Sequence, residues 1–529
     1  MARYPAYPSI DRSDEKGDGG VSGEGVSRRD LMRFGLFGTL SAPTVAGLLA
    51  ACGGDSPRRT VSPTSLGSSS TVPPSTVALD PGTPWWLQRG FAPVADEVET
   101  FALEVIGAIP PELAGLYARN GSNPATGSSS HWFFGDGMLH GVHLEGGKAK
   151  WYRNRYIETP FYEQRVGFGE GGAPGGGGNQ SNVSAVWHGG RLLTSGEVGF
   201  PYEIDATDLS TVGVYDFGGK LASSFTAHPK IDPQTGVMHT FGYGFTQPYL
   251  TYNVIDRDGR LIHSEPVAVN GPTMIHDFAI TDRDVVFWEL PVVFDLESAI
   301  RWIESGSSDD MPFQWRPSYG ARVGVMPLGG PASQIVWHEL DPCYAFHGVN
   351  AYRDDTDNVV LDICRMSSMF KKGEAFGGAS SLRRWTMDGR GGAVRDEIMV
   401  EEGASPGELP IRDPRVVGRR HRYAYFVQTR DDVRDTVDLG GLVKHDYDTG
   451  AREVWDPGPA VHSGEWLFVP ADNGTEQDAG WLLAYVTDEA TNKSDLSIID
   501  ATAIEQGPIA RVELPQRVPY GFHGTWVPA

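Results

Sequence analysis

The sequence predicts an all-β fold, a β-propeller, from three observations. The 529 residues include 67 glycines and 37 prolines, many of them between short apolar runs, which is the punctuation of hairpins rather than of long helices. The runs are rich in aromatic and β-branched residues and recur every ~8–12 residues. The chain also exceeds the ~150 residues expected of one domain, and propellers and barrels are folds that do so as a single unit. Composition narrows function as well. Lys and Arg number 44 against 68 Asp and Glu, a formal charge of −24; that excludes a nucleic-acid binder, because phosphate contacts need clustered cations. The three cysteines, Cys52, Cys343 and Cys364, are too few for a disulfide scaffold or a CxxC zinc framework.

The first element is an address. Arg28 and Arg29 precede an apolar stretch from Phe34 to Ala51 that is broken by Gly35, Gly38, Pro43 and Gly47. Spanning a bilayer takes ~20 apolar residues, so residues 1–51 are expected to be a removable twin-arginine signal peptide and not an anchor. The end of the stretch, Leu49-Ala50-Ala51-Cys52, resembles the bacterial lipobox, in which Cys52 is acylated and becomes the new first residue; the alternative is a lone cysteine in an apolar run. Six basic and six acidic side chains leave with residues 1–51, so the mature body stays acidic and is repelled by anionic headgroups. A lipid on Cys52 would hold it at the membrane, where stable anchoring takes about two acyl chains. The expected location is therefore lipid-anchored, at the outer face of the cell membrane or in the periplasm, after twin-arginine export.

Residues 52–84 follow as a tether. They are rich in Ser, Thr, Pro and Gly with few large apolar side chains, and such a segment cannot bury enough surface to offset its ordering entropy.

The body, residues 85–529, reads as consecutive antiparallel meanders. Val237 to Tyr243, Tyr249 to Ile255 and Leu261 onward are strand-like runs separated by the turn residues Asp256-Arg257-Asp258-Gly259. Similar runs recur at Val285–Trp288, Val359–Ile363, Tyr423–Val427 and Trp481–Val486. Meanders repeated along so long a chain suggest propeller blades, which protect one another's edges. The main helical candidate is Leu296 to Glu304, an insertion between strands.

Among the 14 histidines, His188, His263, His421, His445 and His462 stand singly beside polar residues and are expected at turns or on the surface. His228, His276, His347 and His523 instead have apolar or aromatic neighbours within strand-like or turn-flanked runs. A lone histidine of that kind is usually a satisfied core residue. Four of them, far apart on a repeating β fold, are what a site on a propeller axis needs, because each blade can point one inner-strand residue at the axis.

Several motifs then carry a resemblance. Leu116-Tyr117-Ala118-Arg119-Asn120-Gly121-Ser122-Asn123-Pro124, the run His131 to His140, Asn154-Arg155-Tyr156, Gly320 to Pro327, Glu408-Leu409-Pro410 with Asp413-Pro414-Arg415, and Phe522-His523-Gly524 occur in the order seen in the carotenoid cleavage oxygenase family, which the chain resembles from about Leu103 to Pro528. The resemblance implies a seven-bladed β-propeller with short helical insertions over the metal face. It implies one Fe(II) per subunit, held by His228, His276, His347 and His523. It also implies three supporting glutamates, Glu197 orienting His276, Glu408 orienting His347 and Glu465 orienting His523; an imidazole that ligates through one nitrogen usually donates its other N–H to such a group. Imidazoles suit several metals, so iron rests on the resemblance alone.

The reaction implied is oxidative cleavage of a conjugated C=C by O2 to two carbonyl products, with no protein acid or base acting directly. The expected substrate is a carotenoid or apocarotenoid, an apolar polyene. Phe278, Trp288, Phe294, Trp302, Phe346 and Phe522 are candidates for an apolar tunnel, with core packing as the alternative for most of them. Stilbene-cleaving relatives carry a lysine just before the first supporting glutamate, where this chain has Gly196. A stilbenoid-cleaving dioxygenase, a polyene isomerase and a non-catalytic ligand-binding propeller are the other readings. Cys343 and Cys364 flank a hairpin expected to turn at Asp354 to Asp357; a disulfide or two buried thiols both fit.

Overall fold

The computed structural model describes residues 59–60, 80–165, 179–305, 311–371, 377, 380–401, 407–430 and 439–529. The expected signal segment, Cys52 and most of the tether lie outside the described residues. Among the described residues, no helix is long and apolar enough to cross a membrane.

Seven sheets of four to six strands, with one extra two-stranded ribbon, make up the fold. They are the seven blades of a propeller. The third blade shows why the sequence folds this way. Its strands Lys230–Ile231, Met238–Tyr243, Leu250–Ile255 and Leu261–Pro266 pair antiparallel in sequence order. Every residue of Met238–Tyr243 and Leu250–Ile255 is buried, whereas Leu261–Pro266 alternates buried and exposed. Middle strands are covered on both faces by neighbouring blades and so read as continuous apolar runs; the outermost strand shows the period of two of a half-solvated strand.

The ring is shut twice. The late strand Gly524–Pro528 pairs with Gly115–Ser122 in the first blade, Trp526 opposite Tyr117. The early strand Val105–Gly107 pairs with Pro508–Glu513 in the seventh. The first closure joins two of the signature motifs: Phe522 N–H donates to the Asn120 carbonyl at 2.9 Å, Asn120 N–H to the His523 carbonyl at 3.1 Å, and the Arg119 guanidinium to the Pro519 carbonyl at 2.8 Å.

Two helices leave the blades, Pro160–Gln164 and Leu296–Ser305. The second lies where the sequence places it, in an insertion of the fourth blade that also holds the ribbon Val292–Phe294/Phe313–Trp315.

One expectation needs correction, and one open pair of alternatives is decided. His188, His421, His445 and His462 are buried, and only His263 among that group is partly exposed. Polar sequence neighbours do not imply exposure when strands are sandwiched between blades. His462 Nδ1–H donates to the Leu439 carbonyl and the His188 ring engages the Gly236 carbonyl, so these two are anchored core residues. Cys343 and Cys364 are free and buried. The hairpin does turn at Asp354 to Asn358, but its register sets Tyr344 opposite Met366, so Cys343 lies past that pair and away from Cys364. Burial pushes the Cys343 thiol up to about 12 and Cys364 well above its usual value.

Candidate metal centre

Four of the innermost strands begin just after a histidine. His228 precedes Lys230–Ile231, His276 precedes Phe278–Ile280, His347 precedes Gly348–Arg353 and His523 precedes Gly524–Pro528. Each imidazole therefore leaves the chain where a blade's inner strand meets the axis, and the four converge. One ring nitrogen from each lies within 4.8 Å of the other three. His276 Nε2 is 2.9 Å from His228 Nε2 and 3.2 Å from His347 Nε2.

The three glutamates stand behind three of the rings. His347 Nδ1–H donates to Glu408 Oε2 at 2.7 Å and His523 Nδ1–H to Glu465 Oε1 at 2.8 Å, while His276 Nδ1–H donates to Glu197 Oε1. These are the pairings the resemblance implies. Each carboxylate is held differently. Glu465 accepts the Gly524 N–H at 3.0 Å on its other oxygen. Glu197 accepts the Tyr243 hydroxyl. Glu408 accepts its neighbour's Leu409 N–H at 2.7 Å, and its second oxygen is buried without a partner. A bulge turns Glu408 inward, with Leu409 at φ 53° in the left-handed region. Sequence reasoning missed Tyr243; it is an ordinary strand tyrosine until the fold sets it beside Glu197.

Electrostatics follow from burial. Desolvation pushes His228 and His347 well below the usual imidazole value, and the neighbouring rings add to it, so both are neutral at neutral pH. Burial lifts Glu408 to about 7. It pushes Glu197 up too, but His276 and the Tyr243 hydroxyl outweigh it and hold that carboxyl below the usual range.

The donor set fits a cation. With the Nδ1–H of His276, His347 and His523 committed to carboxylates, each of those Nε2 atoms presents a lone pair, and those of His276 and His347, 3.2 Å apart, repel unless a positive charge lies between them. Ligand bonds of ~2.1 Å at right angles separate neighbouring nitrogens by ~3.0 Å, which matches. The cluster is a candidate metal site.

Two cavities reach the cluster from opposite sides. One, of about 230 Å3, is almost wholly apolar, and His276, His347, His523, Glu197 and Glu408 lie in its wall. Of the aromatic candidates, Phe294, Trp302, Phe346 and Phe522 line it; Phe278 and Trp288 are core residues, 0% and 2% exposed. Phe133, Phe134, Phe245 and Phe313 also line it, contributed by the motif turn Trp132–Phe134, by the third-blade loop before Leu250 and by the insertion. No lysine or arginine lines it among the described residues. The amides in its wall face away from the space: the side chains of Asn179, Gln180 and Asn182 donate to the carbonyls of Phe200, Phe134 and Phe133. The other cavity, about 420 Å3, is the more polar of the two, with charged side chains in an otherwise largely apolar wall of mostly inner-strand residues, and His228, His347 and His523 lie in that wall.

Comparison with known proteins agrees with this geometry. The family model described as retinal pigment epithelial membrane protein (RPE65) matches residues 91–528. The chain is 36% identical over 503 residues to a carotenoid cleavage oxygenase of Mycobacterium tuberculosis, covering 84% of this chain and 97% of that protein. It is 34% identical over 500 residues to carotenoid 9,10(9',10')-cleavage dioxygenase 1 of Arabidopsis thaliana, covering 84% and 89%. Among solved structures, the lignostilbene dioxygenase of Pseudomonas brassicacearum superposes with a TM-score of 0.75 at 27% identity, covering 86% of this chain and 100% of that one. The cobalt-substituted apocarotenoid oxygenase of Synechocystis superposes with a TM-score of 0.72 at 26% identity, covering 84% and 98%. A converging histidine cluster on a seven-bladed axis, matched across nearly the whole body, makes this chain an enzyme that belongs to the carotenoid cleavage oxygenase family.

Proposed function

We propose that the protein is an Fe(II)-dependent dioxygenase that cleaves a conjugated C=C bond of a carotenoid or apocarotenoid to two carbonyl products. The observation that carries the substrate class is the apolar cavity, which opens directly on the histidine cluster and has no cation in its described wall. His228, His276, His347 and His523 would hold the metal, and Glu197, Glu408 and Glu465 would fix the tautomers and orientations of three of them. Ferrous iron, when bound, supplies the binding and activation of O2 beside the alkene. The protein's own contribution is positioning. Phe133, Phe245, Phe294 and Phe346 offer flat apolar faces to a polyene and exclude water. The side-chain amides in the wall are turned onto backbone carbonyls.

A phenolic stilbene is the less favoured substrate. Gly196 offers no amine, and a Cβ there would already lie 3.1 Å from Asn179 Oδ1. Incubating the Fe(II)-loaded protein with 18O2 and a carotenoid, an apocarotenoid or a stilbene tests the reading. Labelled aldehydes from the polyenes are expected. Products of unchanged mass would make the protein an isomerase, and cleavage of the stilbene alone would overturn the substrate class.

Export by the twin-arginine route and acylation of Cys52 belong to the same proposal. Mass spectrometry of the mature protein should find residues 1–51 removed and a diacylated Cys52; a chain retaining residues 1–51 would refute it.

A further inference from the structure

The polar cavity carries one charge that the rest of the molecule leaves unmatched. Its wall includes Lys230, Asp277, Arg412, Arg415 and Glu465. Lys230 Nζ donates to Asp277 Oδ1 at 2.6 Å, and that carboxylate also accepts the N–H groups of Phe278 at 2.8 Å and Gly348 at 3.0 Å. Arg415 pairs with Asp413 at 2.8 Å and donates to the Gly474 and Glu476 carbonyls. Glu465 is committed to His523 and the Gly524 N–H. Arg412 alone has no hydrogen bond or ion pair with any described residue, and its Nε is buried without a partner. The acids whose charge it feels, Asp277, Asp413 and Glu465, are those already engaged.

We propose that Arg412 is the recognition group of a second ligand site, on the polar side of the histidine cluster, for a small planar oxyanion such as a carboxylate or bicarbonate. A guanidinium presents its N–H groups in a flat fork, and two oxygens in one plane satisfy two of them at once. Such charge-assisted bonds gain strength where the donor is shielded from water. Pro229, Ile231, Pro410 and Val417 in the same wall supply that shielding. Lys230 keeps to Asp277 and is not needed as a donor. The ligand lies against the same wall as His228, His347 and His523 and apart from the aromatic cavity, so it does not compete with the polyene.

The test is a calorimetric titration of the Fe(II)-loaded protein with formate, bicarbonate and chloride in separate arms at constant ionic strength. Saturable one-to-one binding of formate or bicarbonate is expected, weakened by about tenfold or more in Arg412→Gln and less in Arg412→Lys. Absence of saturable heat overturns the proposal. So does equal affinity in Arg412→Gln, which would place the anion elsewhere, for example on the metal. Chloride binding as tightly as formate would refute the planar fork. Should Arg412→Gln fail to fold, a crystal of the unaltered holoprotein soaked in formate decides: planar density on the guanidinium supports the site, and water alone refutes it.

Discussion

The aromatic and polar cavities share two imidazoles, His347 and His523, and differ in most of the rest of their walls. The polar one is walled by the inner strands themselves, through Lys230, Ile231, Gly348, Ile411 and Thr525. The aromatic one is walled largely by segments that leave the blades: the Trp132–Phe134 turn, the Pro160–Gln164 helix, and the fourth-blade insertion with Phe294, Trp302 and Phe313. The centre thus depends on the repeating scaffold, whereas the shape of the substrate space depends on loops and insertions, which can change without moving the histidines.

Removing a shared residue should break both sides at once and have the largest effect. His347→Ala is expected to abolish turnover and metal content by elemental analysis while the β-sheet circular dichroism is kept; an active, metal-replete variant would dissolve the comparison. The polar side alone is probed by Asp277→Leu. It strands the Lys230 ammonium, 13% exposed against 2% for its partner, and should cost ~3–5 kcal/mol of stability in denaturant unfolding. Adding Lys230→Met should recover most of that loss.

The aromatic side alone is probed by Phe294→Ala. Its ring stacks on Phe245 at 4.2 Å between centroids, so about 3 kcal/mol of stability should go, together with a raised KM for the polyene and little change in metal content. Smaller still, Glu197→Ala should weaken metal binding by ~10–100-fold. Tyr243→Phe should act in the same direction by only a few-fold, read by competition with a chelator. If Tyr243→Phe leaves metal affinity untouched, the hydroxyl on Glu197 is only packing.

The histidines were legible because their local surroundings are unusual: His276 sits in Met274-Ile275-His276-Asp277-Phe278 and His347 follows Ala345-Phe346, apolar runs in which a polar ring needs a reason. The glutamates were legible only through the family resemblance, since Glu197 and Glu465 look like strand-end charges. Strands such as Leu250–Ile255 and Val359–Arg365 declared themselves by composition and turn residues. What escaped was adjacency between blades. Nothing in Phe241-Gly242-Tyr243 announces that its hydroxyl meets a carboxylate 46 residues earlier, and Arg412 stands out only once its neighbours are seen to be paired. His421 and His445 misled because polar sequence context describes chain neighbours, not the blade packed above.

His523 belongs to the strand that shuts the ring in the first blade. A growing chain therefore carries three of the four imidazoles long before the last one exists, and gains it only with the segment that latches the circle. Capture of an ion and completion of the circle would be a single event. A half-made polypeptide could then not hold a metal ion tightly.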